Sequence, residues 1–184
     1  MLITASEDQT LKLWNLQKTI PAKKSAALDV EPVYTFRAHR GPVLSLAVSS
    51  AGDALFSGGL DGTVRCWSMP SPAIDPYDSF DPNVLTATLN GHTDAVWGLR
   101  YHAQRQQLLS SSADGSVKLW SPPKKALLST LVEGTSDVPT SVDWVYEDPT
   151  HMVTAFASGK CSIHEIETGK VIVNLDTTAV RLLF

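Results

Sequence analysis

Hydrophobic and polar residues alternate with a period of two through much of this 184-residue chain, which is the spacing of half-buried β-strands. Three stretches repeat one pattern: a short apolar run, a turn at Asp-Gly or Asp-Gln, and an alternating run that ends in tryptophan. They are LITASEDQTLKLW at 2–14, LFSGGLDGTVRCW at 55–67 and LLSSSADGSVKLW at 108–120. Each pattern predicts a β-hairpin, because the turn residues tolerate the positive φ of a tight turn.

The spacing of the hairpins predicts how they assemble. Their closing residues Trp14, Trp67 and Trp120 are 53 residues apart, and so are His39 and His92 in a second recurring element at 37–48 and 90–101. A single hairpin cannot bury its apolar face. Repetition at this interval therefore predicts sheets that pack against one another, as in a solenoid or a propeller.

These elements resemble the WD-repeat family: a Gly-His or Ala-His element, a strand, a hairpin with Asp at its turn, and a closing Trp. The resemblance implies an all-β chain, a WD-repeat β-propeller with about four blades of four-stranded antiparallel sheets. Residues 1–184 then form one partial propeller. Its blade segments are 1–36, 37–89, 90–131 and 132–175, and 176–184 begin a further strand or form a divergent tail.

The number of strands leaves two forms of closure open. The first blade segment lacks an inner strand, so a ring of four blades would close if residues 180–184 took that place. WD-repeat propellers usually have about seven blades, which favours an arc of a larger propeller.

Composition excludes several classes of function. Fifteen basic residues stand against 19 acidic ones, and no basic run is interleaved with aromatic residues, so we expect no nucleic-acid partner. No apolar span is long enough for membrane insertion. Cys66 and Cys161 lie at unrelated positions, and a reduced cytosolic protein explains them more simply than a disulfide. The five histidines do not cluster at ligand spacing, so we expect no metal and no cofactor.

The repeats contain the residue types of a Ser-His-Asp triad. Because an enzyme needs one such set whereas scaffolding needs one in each repeat, we interpret them as structural; a hydrolase using Ser110, His92 and Asp114 is the alternative. The resemblance implies a network in which the turn Asp accepts from the His, the His meets a strand hydroxyl, and that hydroxyl meets the Trp indole. Its predicted members are Thr4, Asp8, Trp14, His39, Ser57, Asp61, Trp67, His92, Ser110, Asp114 and Trp120. In the fourth repeat Thr135, Ser158 and His164 replace the His, Asp and Trp, so the bracing is expected to be lost there.

Function is then expected on surfaces. By the resemblance, six residues face one mouth of the central channel: Leu44, Trp97 and Thr140 on the inner strands, and Glu7, Leu60 and Ala113 before the turns. Trp97 is either a binding anchor or part of the core between inner strands. The excursion at 69–82, rich in Pro and Asp, is a second candidate surface through Ile74, Tyr77 and Phe80; the alternative is a loop folded back over the blade edge.

Residues 36–50, 56–85 and 91–99 are similar to the C-terminal WD-repeat domain of striatins. The resemblance implies a non-catalytic protein-interaction scaffold of the protein phosphatase 2A class. Its implied partners are members of phosphatase 2A assemblies, Ste20-type kinases and Mob-like adaptors. The implied location is the cytoplasm, with membrane association only through partners. In striatins the parts that bind caveolin, calmodulin and the phosphatase core precede the propeller, and no heptad run appears here. This chain alone is therefore expected not to recruit the phosphatase core.

Overall fold

The computed structural model describes residues 1–15, 31–71, 81–132, 136–145 and 149–176. Within these ranges the chain forms four antiparallel sheets, which we call blades 1 to 4. Blade 1 has three strands in the order β1 (Leu2–Ala5), β2 (Thr10–Trp14) and β3 (Tyr34–Arg37).

The other three blades have four strands each, paired in chain order from the inner strand outward. Blade 2 contains β4 (Val43–Val48), β5 (Ala54–Gly59), β6 (Val64–Ser68) and β7 (Leu85–Leu89). Blade 3 contains β8 (Val96–His102), β9 (Gln107–Ser112), β10 (Val117–Ser121) and β11 (Ala126–Val132). Blade 4 contains β12 (Pro139–Trp144), β13 (His151–Phe156), β14 (Lys160–Glu165) and β15 (Val171–Asp176).

The predicted hairpins form with a common register. Trp67 pairs with Leu55 and Trp120 pairs with Leu108, so each tryptophan lies across from the first apolar residue of its hairpin. The turns contain Gly62 at φ 71° and Gly115 at φ 79°. Blade 1 has Gln9 at the same place, also left-handed at φ 72°, which explains how Asp-Gln replaces Asp-Gly without changing the hairpin.

The core lies between successive blades. Leu11, Phe36, Leu55 and Trp67 belong to a buried cluster between blades 1 and 2. Equivalent clusters join blades 2 and 3 and blades 3 and 4, and they contain the fully buried Leu99 and Met152 respectively. The inner strands are also linked directly, since the Ser45 hydroxyl donates to the Val96 carbonyl over 3.1 Å. No blade encloses a core of its own, which is why the repeat is required.

The predicted all-β architecture of antiparallel sheets is confirmed. The outer strand of blade 2 begins only at Leu85. Its start is displaced by a 3-10 turn, Pro82–Val84, in which the Asp81 carboxylate accepts from the backbone N–H of Asn83 over 2.8 Å. Most of the 69–82 excursion and residues 177–184 lie outside the described residues.

The described residues were also compared with the expectations for membrane helices, metal sites and disulfides. The part of the chain that the structure describes contains no helix long and apolar enough to cross a membrane. It also contains no group of three or more His, Cys, Asp or Glu side chains arranged to hold a metal ion. Cys66 and Cys161 are both free, and burial raises the pKa of the Cys66 thiol to about 12.

Candidate functional site

Blade 3 contains a continuous chain of side-chain hydrogen bonds. The indole N–H of Trp120 donates to Ser110 Oγ over 2.8 Å, and Ser110 Oγ lies 2.6 Å from Nε2 of His92. Nδ1 of His92 lies 2.9 Å from the Asp114 carboxylate. Because a carboxylate only accepts, His92 donates from Nδ1, and its Nε2 accepts the Ser110 hydroxyl proton. We call this series of four residues the relay of blade 3.

Blade 2 repeats the relay with the same polarity. Trp67 donates to Ser57 Oγ over 2.9 Å, Ser57 Oγ lies 2.8 Å from His39 Nε2, and His39 Nδ1 lies 3.2 Å from Asp61. The packing leaves no room for a side chain beside the imidazole. A Cβ at Gly59 would lie 2.5 Å from His39 Nδ1 and 2.7 Å from Asp61 Oδ1.

The turn carboxylates also hold the backbone. Asp114 accepts from the backbone N–H of Thr93 over 3.0 Å and from that of Ser116 over 2.9 Å. Asp61 accepts in the same way from Arg40 over 2.8 Å and from Thr63 over 3.1 Å. Each carboxylate therefore ties the loop before the inner strand to the hairpin turn 21 or 22 residues later in the chain.

The charges of the relay follow from these contacts. Burial lowers the pKa of His92 and of His39, and the neighbouring carboxylates only partly oppose it. Burial acts to raise the pKa of Asp114, but hydrogen bonds from Ser116, His92 and Thr93 outweigh it and bring the pKa to about 2. Hydrogen bonds likewise hold the pKa of Asp61 well below its usual range against burial. At neutral pH each relay is a neutral imidazole on an ionised carboxylate.

The relay has the same succession of hydrogen bonds as a Ser-His-Asp triad, but its serine is not accessible to a substrate. Ser57 and Ser110 are 0% exposed, and each hydroxyl oxygen is also engaged by an indole N–H. A nucleophile must reach a substrate atom, and these oxygens reach only the protein interior. In this conformation neither set, including the alternative of Ser110, His92 and Asp114, can attack a substrate.

Blade 1 contains the part of the relay that lies in the hairpin. Trp14 donates its indole N–H to Thr4 Oγ1 over 2.9 Å, and Asp8 accepts from the Thr10 hydroxyl over 2.6 Å and from the Thr10 backbone over 3.0 Å. The eight predicted members in blades 2 and 3 thus form complete relays, whereas in blade 1 Thr4 and Trp14 form one pair and Asp8 bonds to Thr10 apart from them.

Blade 4 keeps one link that the sequence did not reveal. Ser158 stands at the turn position, and it donates to Asp137 from its hydroxyl over 2.5 Å and from its backbone N–H over 3.0 Å. The acceptor carboxylate now lies in the loop and the donor groups at the turn, which is the reverse of blades 2 and 3. The expectation that all bracing is lost in this repeat is therefore wrong for its outer link. An acid two residues after Thr135 was the available signal.

The inner half of the blade 4 relay is not formed. His164 takes the place of the tryptophan and is 3% exposed, yet neither ring nitrogen makes a hydrogen bond of ordinary geometry. The hydroxyl of Thr154, at the position of Ser110, is buried without a partner as well. Burial lowers the pKa of His164, opposed by the nearby Gly169 backbone. An imidazole is shorter than an indole, which explains why the two groups do not meet.

The three inner-strand residues predicted at the channel mouth share a backbone feature that the sequence did not show. The pairing of each inner strand with its neighbour skips one residue: Leu44 in blade 2, Trp97 in blade 3 and Thr140 in blade 4. Each of these is a β-bulge, and a bulge re-aims the side chain of its extra residue away from the regular sheet. The bulge occurs at the same place in three blades, so it is a regular part of the repeat.

The residues before the turns lie beside the starts of the inner strands. The backbone N–H of Leu60 donates to the Pro42 carbonyl over 2.8 Å, and that of Ala113 donates to the Ala95 carbonyl over 2.9 Å. In blade 1 the carbonyl of Ser6, next to Glu7, accepts from Val43 over 3.1 Å. All six predicted residues thus lie at the end of the blades where the inner strands begin. We call this set the mouth surface.

Trp97 differs from its neighbours in exposure. Val96 and Leu99 are 0% exposed, whereas Trp97 is 43% exposed, and Leu60 on the adjacent blade is 49% exposed. This exposure favours the anchor over the core interpretation of Trp97. The other predicted surface, formed by Ile74, Tyr77 and Phe80, lies outside the described residues and stays a prediction.

Comparison with known proteins agrees with this geometry. The family model described as "WD domain, G-beta repeat" matches residues 30–68 and 83–121, which include the relays of blades 2 and 3. Human "Striatin-3" is 59% identical over 179 residues, which are 96% of this chain and 22% of that protein. Human "Striatin" is 55% identical over 185 residues, which are 97% of this chain and 24% of that protein.

Residues 30–68 and 83–121 are WD repeats, and over 96% of its length this chain is similar to striatins. The resemblance inferred from its motifs is thereby confirmed. Mouse "Striatin-4" is also similar, with 46% identity over 179 residues. The chain spans 22% to 24% of the length of these striatins.

A solved structure supports the fold of this chain. The WD40 β-propeller domain of Doa1 superposes with a TM-score of 0.69 at 22% sequence identity. The match covers 94% of this chain and 49% of the Doa1 chain. Blades 1 to 4 therefore correspond in backbone to an arc of a WD40 propeller.

The relays predict how stability depends on pH. His39, His92 and His164 have a lower pKa in the fold than the ordinary value of 6.5, so the unfolded chain takes up protons first as pH falls. The stability that these neutral imidazoles contribute is fully present above pH 6.5 and is lost as the pH falls below that value. Asp61 and Asp114 have a pKa below the ordinary 3.8, so a second loss begins as pH falls below that value. Urea unfolding between about pH 8 and pH 5 measures the first window. A free energy of unfolding that rises as the solution is acidified through this range would contradict neutral imidazoles in the relays.

Proposed function

We propose that this chain is a non-catalytic protein-interaction module, and that the mouth surface is where it contacts a protein partner. The striatin relatives and the WD-repeat match support protein partners as a class. The hydroxyl, imidazole and carboxylate groups that resemble catalysts are used in the relays, which leaves surfaces rather than a reaction centre for function.

The observation that carries the proposal is that Trp97 is the extra residue of the blade 3 bulge, the middle one of three equivalent bulges. An exposed tryptophan beside buried residues on the same strand is costly in water and is the side chain most enriched among interface anchors. Its backbone lies between paired residues of a strand instead of in a loop, so little backbone freedom is lost on binding. Leu60 adds exposed apolar area on the neighbouring blade.

We further propose that the full-length protein acts as a striatin-type scaffold of the protein phosphatase 2A class in the cytoplasm. The partners to test against the mouth surface are Ste20-type kinases, Mob-like adaptors and other members of phosphatase 2A assemblies. Association with membranes, where it occurs, is expected through such partners.

Trp97→Ala tests the mouth surface. Loss of a central tryptophan anchor is expected to weaken the partner that binds there by a factor of about 30, with little change in stability because the side chain is half exposed. The measurement is the Kd of each purified partner for the full chain by calorimetry, together with the melting temperature. Leu128→Ala, which removes a 42% exposed apolar side chain from the outer strand β11, is the matched control and should leave every Kd unchanged.

If Trp97→Ala lowers the melting temperature as much as a core truncation, the tryptophan is part of the core. If it changes neither stability nor the Kd of any partner that the chain binds, the mouth surface is not the interaction site.

A further inference from the structure

A second concave site lies at the other end of the inner strands. A cavity of about 610 Å³ opens where β4, β8 and β12 end, and its lining includes Val48, Tyr101, His102, Asp143 and Trp144. The mouth surface lies where the same strands begin. The two sites therefore share no residue, and we call the second one the strand-end cavity.

The aromatic wall of the strand-end cavity is held in place. The indole N–H of Trp144 donates to the Arg100 carbonyl over 3.2 Å, and the His102 ring packs edge-on against Trp144 with centroids 5.1 Å apart. Nδ1 of His102 accepts from the backbone N–H of Arg105 over 3.2 Å. Both rings are thus oriented before any ligand binds.

The repeat itself does not require this wall. Aligned on the bulges, the position of Trp144 is Tyr101 in blade 3 and Val48 in blade 2. A scaffolding residue recurs from blade to blade, as the relay does. The tryptophan at this position is therefore a property of the site and not of the fold.

The charge of the lining selects the ligand. Asp143 is the one acidic residue of the described lining, which contains no lysine or arginine. Its nearest cation, Arg100, pairs with it over 3.1 Å, but the two side chains are 50% and 54% exposed, and an exposed pair of this kind is weak. The carboxylate can therefore exchange this partner for another cation.

We propose that the strand-end cavity binds the lysine side chain of a partner peptide, with its ammonium group over Trp144 and paired with Asp143. Tryptophan is the strongest aromatic partner for a cation, and a neighbouring carboxylate adds direct ion pairing. The cavity volume suits one long side chain with its flanking backbone. This site does not depend on the mouth surface, and either can fail without the other.

The test uses three acetylated and amidated pentapeptides, Gly-Gly-X-Gly-Gly, in which X is lysine, norleucine or glutamate. Binding to the full chain is followed by NMR through the indole N–H signal of Trp144. We expect the lysine peptide to bind at least about 5-fold more tightly than the norleucine peptide, since only lysine offers the cation. Equal binding of the two, or tighter binding of the glutamate peptide, would overturn the proposal.

Two variants locate the effect. Asp143→Asn keeps the shape and removes the charge, and it should weaken the lysine peptide by about 5-fold; Trp144→Leu should weaken it by about 10-fold. Glu167→Gln removes an exposed carboxylate elsewhere on blade 4 and should change nothing. If Trp144→Leu does not fold, Asp143→Asn decides alone: an unchanged Kd in that variant rejects the site.

Discussion

Replacing Asp114 by alanine is expected to lower the free energy of unfolding by about 3 kcal/mol. The carboxylate accepts from His92, from the Ser116 hydroxyl and from the backbone of Thr93 and Ser116. The His92 side chain is 0% exposed, so its N–H would remain buried without its carboxylate acceptor. The loss therefore includes the desolvation of that group as well as the hydrogen bonds. Urea denaturation of the variant and the parent chain measures it.

Asp8→Ala is the matched control for this prediction. Asp8 occupies the same turn position in blade 1, but it is exposed and the bonds it accepts are local ones from Thr10. A loss much smaller than that of Asp114→Ala is expected. Equal losses in the two variants would mean that the turn itself, and not the buried relay, accounts for the role of Asp114.

Replacing Leu99 by alanine is expected to cost about 3 kcal/mol for a different reason. Leu99 is 0% exposed on the inner strand β8 and belongs to the cluster between blades 2 and 3 with Val96 and Trp120. Truncation removes apolar burial and leaves a cavity between two sheets, neither of which can collapse without moving its paired strands. The free energy of unfolding by urea is the measurement.

Leu128→Ala serves as the control for Leu99. Leu128 is 42% exposed on β11, so its truncation should cost less than about 1 kcal/mol. If Leu99→Ala cost no more than Leu128→Ala, the blades would be stable separately and would not depend on packing between them.

The fold could be predicted because the same hairpin pattern recurs several times in the sequence. The fixed interval between Trp14, Trp67 and Trp120 compensates for the weak signal of any single short strand. Strand ends depend on local chemistry that the repeat does not encode. The Asp81 cap and Pro82 form a 3-10 turn just before β7, since proline favours a turn over a ladder position.

The candidate site was predicted less completely. Residue types and spacing identified the relay, because the hydrogen-bonding groups recur in register with the strands. They did not reveal the bulges at Leu44, Trp97 and Thr140, since a skipped pairing depends on both strands and leaves no residue signature. They also missed the Asp137–Ser158 link, in which donor and acceptor changed places between loop and turn.

The strand-end cavity was not predicted at all. Its lining comes from three blades, and Trp144 and His102 are 42 residues apart in the chain. Their proximity follows from the stacking of blades 3 and 4, which no local pattern encodes. The sequence also could not predict that Ser57 and Ser110 are buried. Their burial is the reason why the triad-like sets are not accessible.

The relay of blade 4 is broken between Thr154 and His164, whereas blades 2 and 3 have it whole. Amide protons of β13 and β14 should therefore exchange with deuterium sooner than those of β9 and β10, which have the same place in the neighbouring repeat. The arc would then loosen at blade 4 before blades 2 and 3, and a chaperone or protease that recognises exposed strands would engage blade 4 before those two.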